Sequence, residues 1–175
     1  KFLAAKGRKV IGWDKILEGG LGPDATVHSW RGMGGAVEAV KQGHDAILSP
    51  TSHCYFDYDQ EKVTQIDKVY SLNPVPEGFD SEKMTHILGV QANVWTEYMP
   101  DPARVEYMAW PRMTAIAETG WSPAGKDWTG FTRRLEHHFG RLDALHVGYC
   151  RAFFNPLITL HKDSAYSRVA TIEVD

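Results

Sequence analysis

Residues 9–14 read Lys-Val-Ile-Gly-Trp-Asp, a short apolar run that ends in a tryptophan and a carboxylate. A run of this length and composition predicts a buried β-strand. The same pattern returns at residues 25–30, 45–49 and 87–95, where apolar stretches lead into polar or aromatic residues. Helical patterns or long loops separate these stretches, and such alternation is typical of a parallel sheet in an α/β layer.

The segments around the predicted strands carry helical patterns, of which the last is the clearest amphipathic one. The predicted helices span residues 2–6, 36–42, 105–119 and 131–145. The stretch from 49 to 83 is polar and contains prolines, so we expect mostly loop there, with a helical turn near 63–69. From Asn155 onward the pattern changes toward alternating strand, and the candidate boundary lies at residues 154–156.

The overall composition excludes several classes of protein. The 175 residues carry 19 Lys and Arg against 22 Asp and Glu, a formal charge of −3, which argues against a strongly basic nucleic-acid binder. No apolar run approaches the roughly 20 residues of a membrane-spanning helix. Aromatic residues make up 11% of the chain, and their positions therefore become the most informative feature.

Metal and cofactor sites are not predicted. Cys54 and Cys150 lie far apart in the sequence, so we expect two free thiols rather than a disulfide or clustered zinc ligands. The histidines include no pair at the i, i+4 spacing of a helical metal site. The glycine-rich residues 31–35 could hold an anion at the start of a helix. They lack the Lys-Ser/Thr of a phosphate-binding loop, so a plain turn is favoured.

Aromatic side chains and carboxylates concentrate at the carboxyl ends of the predicted strands. Trp13, Trp30 and Trp95 each close a strand, while Asp57 and Glu97 follow the third and fourth strands. Ligands of parallel α/β folds bind at this edge of the sheet. The apolar face of a sugar ring packs on indole rings, and its hydroxyls donate to carboxylates. The sequence therefore predicts an aromatic-walled sugar pocket.

A bland alternative exists for each of these residues, because large aromatic side chains most often fill cores. A single Asp57 or Glu97 would more often be a solvated loop charge, and Tyr55 could be a packing residue. We expect a core position for the tryptophans in or beside the helical region, which are Trp110, Trp121 and Trp128.

The strand-end motifs, taken in order, resemble glycoside hydrolase family 20, the β-N-acetylhexosaminidases. The motifs are residues 11–14, 28–30, 49–58 and 89–98, and residues 70–76 and 110–122 are also similar to that family. The resemblance runs along roughly the first 150 residues and implies an α/β fold, the C-terminal half of a (β/α)₈ barrel with strands five to eight. We expect this part of the barrel in residues 1–154 and an extension in residues 155–175.

The resemblance also implies roles for the pocket residues. The three strand-end tryptophans would enclose the 2-acetamido group and ring of a terminal sugar. Tyr55 would donate its hydroxyl to the acetamido oxygen, which in this family attacks the anomeric carbon in a substrate-assisted reaction. Asp57 and Glu97 would bind the O4 and O6 hydroxyls. The implied activity is removal of terminal β-linked N-acetylglucosamine or N-acetylgalactosamine with retention of configuration.

One part of the family pattern has no match in this sequence. The family carries an adjacent Asp-Glu pair, in which Glu protonates the leaving oxygen and Asp orients the acetamido nitrogen. We expect that pair in an N-terminal half of the same protein that would precede Lys1, and we expect residues 1–175 alone to be inactive. The alternatives are a non-catalytic carbohydrate-binding protein and an α/β domain without a sugar site. The family suggests a periplasmic or extracellular location.

Overall fold

The computed structural model describes residues 2–122, 125–154, 157–162 and 168–173. Within these ranges, short strands form a parallel sheet in the order β1-β2-β3-β4. The strands are β1 (Ile11–Trp13), β2 (Thr26–Ser29), β3 (Ala46–Leu48) and β4 (Ile87–Val90). A separate antiparallel pair follows, formed by β5 (Leu157–Lys162) and β6 (Arg168–Glu173). The predicted α/β class and the strand character after Asn155 are both confirmed.

The helices of the described residues lie before, between and after the strands of the parallel sheet. They are α1 (Phe2–Ala5), α2 (Gly34–Lys41), α3 (Thr51–Cys54), α4 (Ile66–Tyr70), α5 (Ser81–Met84), α6 (Pro102–Ala109), α7 (Arg112–Trp121) and α8 (Trp128–Ala144). Short 3-10 helices span Asp14–Gly19 and Ala152–Phe154. None of these helices is long and apolar enough to cross a membrane.

One face of the sheet is buried against α2. Val27 of β2 and Leu48 of β3 pack with Ala36 and Ala39, which lie on the inner face of α2. The opposite face carries Trp13, because the register pairs this residue with His28, and partners in register share a face of a sheet. The face covered by α2 is therefore part of the core, and the opposite face carries Trp13 at the end of β1.

A second core forms beneath α8, the helix with the clearest amphipathic pattern. Its buried side chains recur at helical spacing and include Phe131, Leu135, Phe139 and Leu142, as the sequence predicts. They pack against α4 and α7. Trp110 and Trp128 contact this core and fit the expected packing role. Trp121 does not, because it lies at the end of α7 with 91% of its surface exposed, so its predicted core position is wrong.

The helix predicted over residues 105–119 is two helices, α6 and α7. The break falls at Trp110–Pro111, where Trp110 has an extended backbone with φ −101° and ψ 140°. Proline lacks the amide hydrogen that a continuous helix needs and disfavours helical backbone in the residue before it. The apolar spacing continues across the break, which explains why the pattern predicts one helix.

Residues 49–83 contain more helix than the sequence suggests, since α3, α4 and most of α5 lie there. Each is five residues or shorter, too short to show a helical period. The strand predicted over 87–95 ends at Val90. The register with β3 shifts between Ile87 and Gly89, which adopts φ +148°, and pairing then continues to Val90. The candidate boundary at 154–156 lies partly outside the described residues.

Candidate active site

The aromatic residues predicted for the pocket lie next to one another at the carboxyl edge of the sheet. The Trp13 and Trp95 rings lie 5.8 Å apart between centroids and are tilted by 44°. The centroid of the Tyr55 ring lies 6.3 Å from that of Trp95 and 6.1 Å from that of Trp30. The order Trp13, Trp95, Tyr55, Trp30 is thus a continuous row of aromatic rings, which we call the aromatic row.

The aromatic row is open on one side. Trp13 is 37% exposed and Trp95 45% exposed, while Trp30 and Tyr55 are half-buried. The row therefore offers accessible aromatic surface of the kind that packs against the apolar face of a ring-shaped ligand.

Backbone hydrogen bonds fix Tyr55 in the row. Asn93, beyond the end of β4, pairs with the Tyr55 segment: its amide donates to the Cys54 carbonyl at 2.7 Å, and its carbonyl accepts from the Phe56 amide at 2.8 Å. Burial raises the pKa of the Tyr55 hydroxyl, and a hydrogen bond with the Trp95 side chain partly opposes this. Tyr55 therefore keeps its proton at neutral pH and can act as a donor.

Asp57 and Glu97 differ in their surroundings. Asp57 is half-buried, and its Oδ1 is buried with no hydrogen-bond partner among the described residues. A buried carboxylate oxygen without a donor is unfavourable, so Asp57 holds acceptor capacity that the described residues do not use. Glu97 is exposed two residues beyond Trp95. Asp57 follows Tyr55 by two residues, just as Glu97 follows Trp95, and the Tyr55 and Trp95 rings are neighbours.

Sequence reasoning missed an ion pair between the first two strand ends. Asp14 is 3% exposed; its Oδ1 accepts from Arg31 Nε at 2.9 Å, and its Oδ2 accepts from the Arg31 amide at 3.2 Å. Asp14 follows Trp13 directly, and Arg31 follows Trp30 directly. The pair therefore ties together the two segments that carry these tryptophans. The sequence did contain a signal for this ion pair, because each of the two oppositely charged residues directly follows a tryptophan.

Gly35 makes room for this ion pair. A Cβ atom added at Gly35 would lie 2.8 Å from both the Asp14 Cβ and the Ser29 Oγ, whereas one added at Gly34 would meet nothing within 4 Å. The Ser29 hydroxyl is itself committed, since it donates to the Gly32 carbonyl and accepts from the Ala36 amide. The neighbours of Gly35 therefore cannot move aside without losing hydrogen bonds.

We expect Gly35→Ala to lower the free energy of unfolding by about 1–3 kcal/mol, the usual cost of overpacking. The matched variant Gly34→Ala should be neutral or stabilising by up to about 1 kcal/mol, because alanine favours helix over glycine. Chemical denaturation of the full-length protein measures both. Equal stability of the two variants would show that Asp14 and Ser29 do not confine this position.

His28 is a further residue that the sequence did not single out. It is buried beneath Trp13, with ring centroids 4.1 Å apart and planes inclined by 16°. Its Nε2 has no hydrogen-bond partner among the described residues. Burial lowers the pKa of His28, and the Asp14 charge opposes that effect only in part. His28 is thus a neutral support for one face of Trp13.

The thiols and histidines do not form a metal site in the described residues, where no three His, Cys, Asp or Glu side chains come together to hold an ion. Cys54 and Cys150 are free and buried. Burial raises the pKa of the Cys54 thiol to about 12, so it is not a nucleophile at neutral pH. The chemistry available at the strand ends is therefore that of aromatic surface, a tyrosine hydroxyl and carboxylates.

A parallel sheet with helices on one face and polar and aromatic residues at its carboxyl edge is the architecture of α/β barrel enzymes. The family model described as "Glycosyl hydrolase family 20, catalytic domain" matches residues 1–124. The chain belongs to glycoside hydrolase family 20, and the family resemblance found in the sequence motifs is confirmed.

Curated relatives of the chain are beta-hexosaminidases. The chain is 42% identical over 161 residues to a beta-hexosaminidase of Porphyromonas gingivalis, covering 85% of this chain and 21% of that protein. It is 36% identical over 151 residues to a beta-hexosaminidase of Akkermansia muciniphila, covering 78% of this chain and 30% of that one. The chain thus spans about a fifth to a third of these curated relatives.

Solved structures share the fold. The family 20 exo-β-N-acetylglucosaminidase of Vibrio harveyi, in complex with N-acetylglucosamine, superposes with a TM-score of 0.79 at 29% identity. The match covers 86% of this chain and 26% of that one. The family 20 β-N-acetylhexosaminidase of Streptomyces coelicolor gives a TM-score of 0.76 at 28% identity, over 85% of this chain and 34% of that one. The four parallel strands thus correspond to part of a (β/α)₈ barrel.

Proposed function

We propose that residues 1–154 form the sugar and acetamido pocket of a β-N-acetylhexosaminidase. The whole protein would remove terminal β-linked N-acetylglucosamine or N-acetylgalactosamine from glycans. The observation that carries the proposal is the aromatic row, which is open to solvent at the carboxyl edge of the sheet. The similarity to named hexosaminidases supports it.

The arrangement suits a reaction in which the substrate supplies its own nucleophile. The 2-acetamido oxygen attacks the anomeric carbon while the bond to the leaving oxygen breaks, and water then opens the resulting oxazolinium ion, so configuration is retained. The tryptophans of the aromatic row would exclude water and hold the acetamido group in place for attack. The Tyr55 hydroxyl would donate to the acetamido oxygen, since its raised pKa keeps it protonated.

The carboxylates would bind the hydroxyls of the terminal sugar. Asp57 is suited to this task because it is half-buried and its Oδ1 makes no hydrogen bond within the described residues, so the carboxylate keeps acceptor capacity for a sugar hydroxyl. Glu97 would bind another hydroxyl from the exposed side of the pocket. A site built to accept hydroxyl hydrogen bonds discriminates strongly against ligands that lack them.

The proton for the leaving oxygen must come from a group outside this set. Residues 1–175 contain no adjacent Asp-Glu pair, so in this proposal the general acid and its partner are supplied by another part of the same protein. The chain would then contribute binding and orientation, while proton transfer would depend on the remainder of the enzyme.

We therefore expect the full-length protein to hydrolyse a chromogenic N-acetyl-β-glucosaminide and residues 1–175 alone to release no chromophore. Absorbance assays at matched concentrations measure both, with the corresponding glucoside, which lacks the acetamido group, as the control substrate. Turnover by residues 1–175 would refute the proposal that the general acid lies in another part of the protein. Glycan binding by the full-length protein without hydrolysis would instead identify a carbohydrate-binding protein.

A further inference from the structure

Arg112 is a fully buried cation in the core beside the candidate site. It is the first residue of α7, and its side chain has 0% exposed surface. In the described residues no carboxylate lies within ion-pair distance of its guanidinium. A buried charge without a counterion is unfavourable unless its donors are all used. The hydrogen bonds of the guanidinium therefore indicate what Arg112 does in this core.

The guanidinium donates only to backbone carbonyls. Nη2 donates to Phe56 at 2.7 Å, and Nη1 donates to Tyr58 at 3.0 Å and to Thr64 at 3.1 Å. Nε and Nη2 also donate to the Met108 carbonyl in the last turn of α6. The guanidinium carbon lies 4.4 Å from the centroid of the Phe56 ring. One side chain thus fastens the loop after α3 to α6 and α7.

Two of these carbonyls belong to the residues on either side of Asp57. Because Phe56 and Tyr58 are both held, the backbone on each side of Asp57 is fixed relative to the helices. Asp57 itself makes no ion pair with Arg112. The guanidinium therefore fixes the backbone that carries Asp57, while the two side chains form no ion pair.

The charge state of Arg112 is compatible with this task. Burial lowers the pKa of its guanidinium to about 10, and the nearby negative charge of Asp57 is among the effects that oppose the shift. Arg112 thus stays protonated at neutral pH and keeps every N–H group that these hydrogen bonds need. An apolar residue of similar volume would fill the same space without the cost of a buried charge, so packing alone does not account for an arginine here.

We propose that Arg112 is a positioning residue that holds Asp57 in the orientation in which it binds a hydroxyl of the terminal sugar. The inference rests on the proposed function of Asp57 and adds the residue through which that function is set. Arg112 does not touch substrate in this account, and its effect on the reaction passes entirely through the Phe56–Tyr58 backbone.

Lysine cannot replace arginine in this role. Its single ammonium offers three donors from one point, whereas the planar guanidinium reaches several carbonyls in fixed directions. We expect Arg112→Lys to lower kcat/KM of the full-length protein by about 10–100-fold, since a misplacement near 1 Å can cost about 100-fold. The control Arg104→Lys changes an exposed arginine on α6 and should stay within about 2-fold.

A double-mutant cycle with Asp57→Asn separates positioning from general stability. If Arg112 acts through Asp57, the Arg112→Lys loss in kcat/KM should nearly vanish in the Asp57→Asn background. Equal losses in both backgrounds would show that Arg112 is merely structural and overturn the proposal. If Asp57→Asn alone leaves kcat/KM unchanged, the proposed function of Asp57 is wrong and the inference falls with it.

Folding is monitored in the same experiment by thermal unfolding of every variant. Arg112→Gln provides a second cycle, because its amide keeps two donors in a planar group without a charge. The proposal is supported if a folded variant, Arg112→Lys or Arg112→Gln, lowers kcat/KM in the wild-type background but not in the Asp57→Asn background. If neither variant yields folded protein, Arg112 serves the whole fold rather than Asp57, and the proposal is wrong.

Discussion

Tyr55→Phe should lower kcat of the full-length protein on a chromogenic N-acetyl-β-glucosaminide by about 10²–10³-fold. This is the usual cost of deleting one preorganised donor from the site where charge develops. In the proposed mechanism the acetamido oxygen is the nucleophile, and the Tyr55 hydroxyl would donate to it and align it. KM should change little, because the phenyl ring retains its contacts with Trp30 and Trp95. Steady-state kinetics resolves both parameters.

The pH dependence of the reaction follows from the same residue. Burial raises the pKa of Tyr55 above the ordinary tyrosine value of about 10, so the hydroxyl is protonated throughout the neutral range. We therefore expect the Tyr55→Phe loss to be constant between about pH 5 and pH 8. A loss confined to one end of that range would mean that another group provides the donor.

The matched control for this substitution is Tyr149→Phe. That hydroxyl donates to Asp143 at 3.2 Å on an exposed contact outside the aromatic row. Its removal should leave kcat within about 2-fold, since exposed contacts of this kind contribute little. Equal kcat values for wild type and Tyr55→Phe would refute the role of the Tyr55 hydroxyl.

Trp95→Ala should lower kcat/KM by about 100-fold or more. Its indole ring contacts both Trp13 and Tyr55, so its removal takes away one wall of the pocket and the neighbour that orients the tyrosine. Loss of placement at this scale costs about 100-fold, and lost contact with the sugar adds to it. Because both binding and alignment depend on this ring, KM should rise and kcat should fall together.

Trp121→Ala is the control for lost indole surface. Trp121 is 91% exposed at the end of α7 and takes no part in the aromatic row. Its replacement should leave kcat/KM within about 2-fold, whereas Trp95→Ala should not. If both variants keep full activity, Trp95 is not part of the substrate site, and the pocket assignment must be abandoned.

Local sequence patterns predicted the features that depend on neighbouring residues along the chain. The parallel sheet follows from short apolar runs, and the burial of α8 follows from its periodic side chains. The same runs correctly predicted Trp13 and Trp30 at strand ends, whereas Trp95 lies beyond the end of β4 at Val90. The break between α6 and α7 was missed because apolar spacing outweighed Pro111 in the pattern. The register shift within β4 depends on its pairing with β3, so a pattern along one strand does not report it.

The residues that organise the candidate site depend on contacts between distant parts of the chain. Asp14 and Arg31 are 17 positions apart, and Arg112 is more than 50 positions from the Phe56 and Tyr58 carbonyls that it binds. No local periodicity reports such contacts. A signal existed for Arg112, which occupies a position in helical spacing between Met108 and Ile116, both of which are buried. A charged residue at such a position indicates a buried hydrogen-bond network.

The most direct test of the account is a crystal structure of the full-length protein with N-acetylglucosamine bound. We predict the acetamido group among Trp13, Trp30 and Trp95, with its oxygen within hydrogen-bond distance of the Tyr55 hydroxyl. The sugar hydroxyls should donate to Asp57 and Glu97. A sugar bound elsewhere, with the aromatic row untouched, would contradict the central claim that this row forms the substrate pocket.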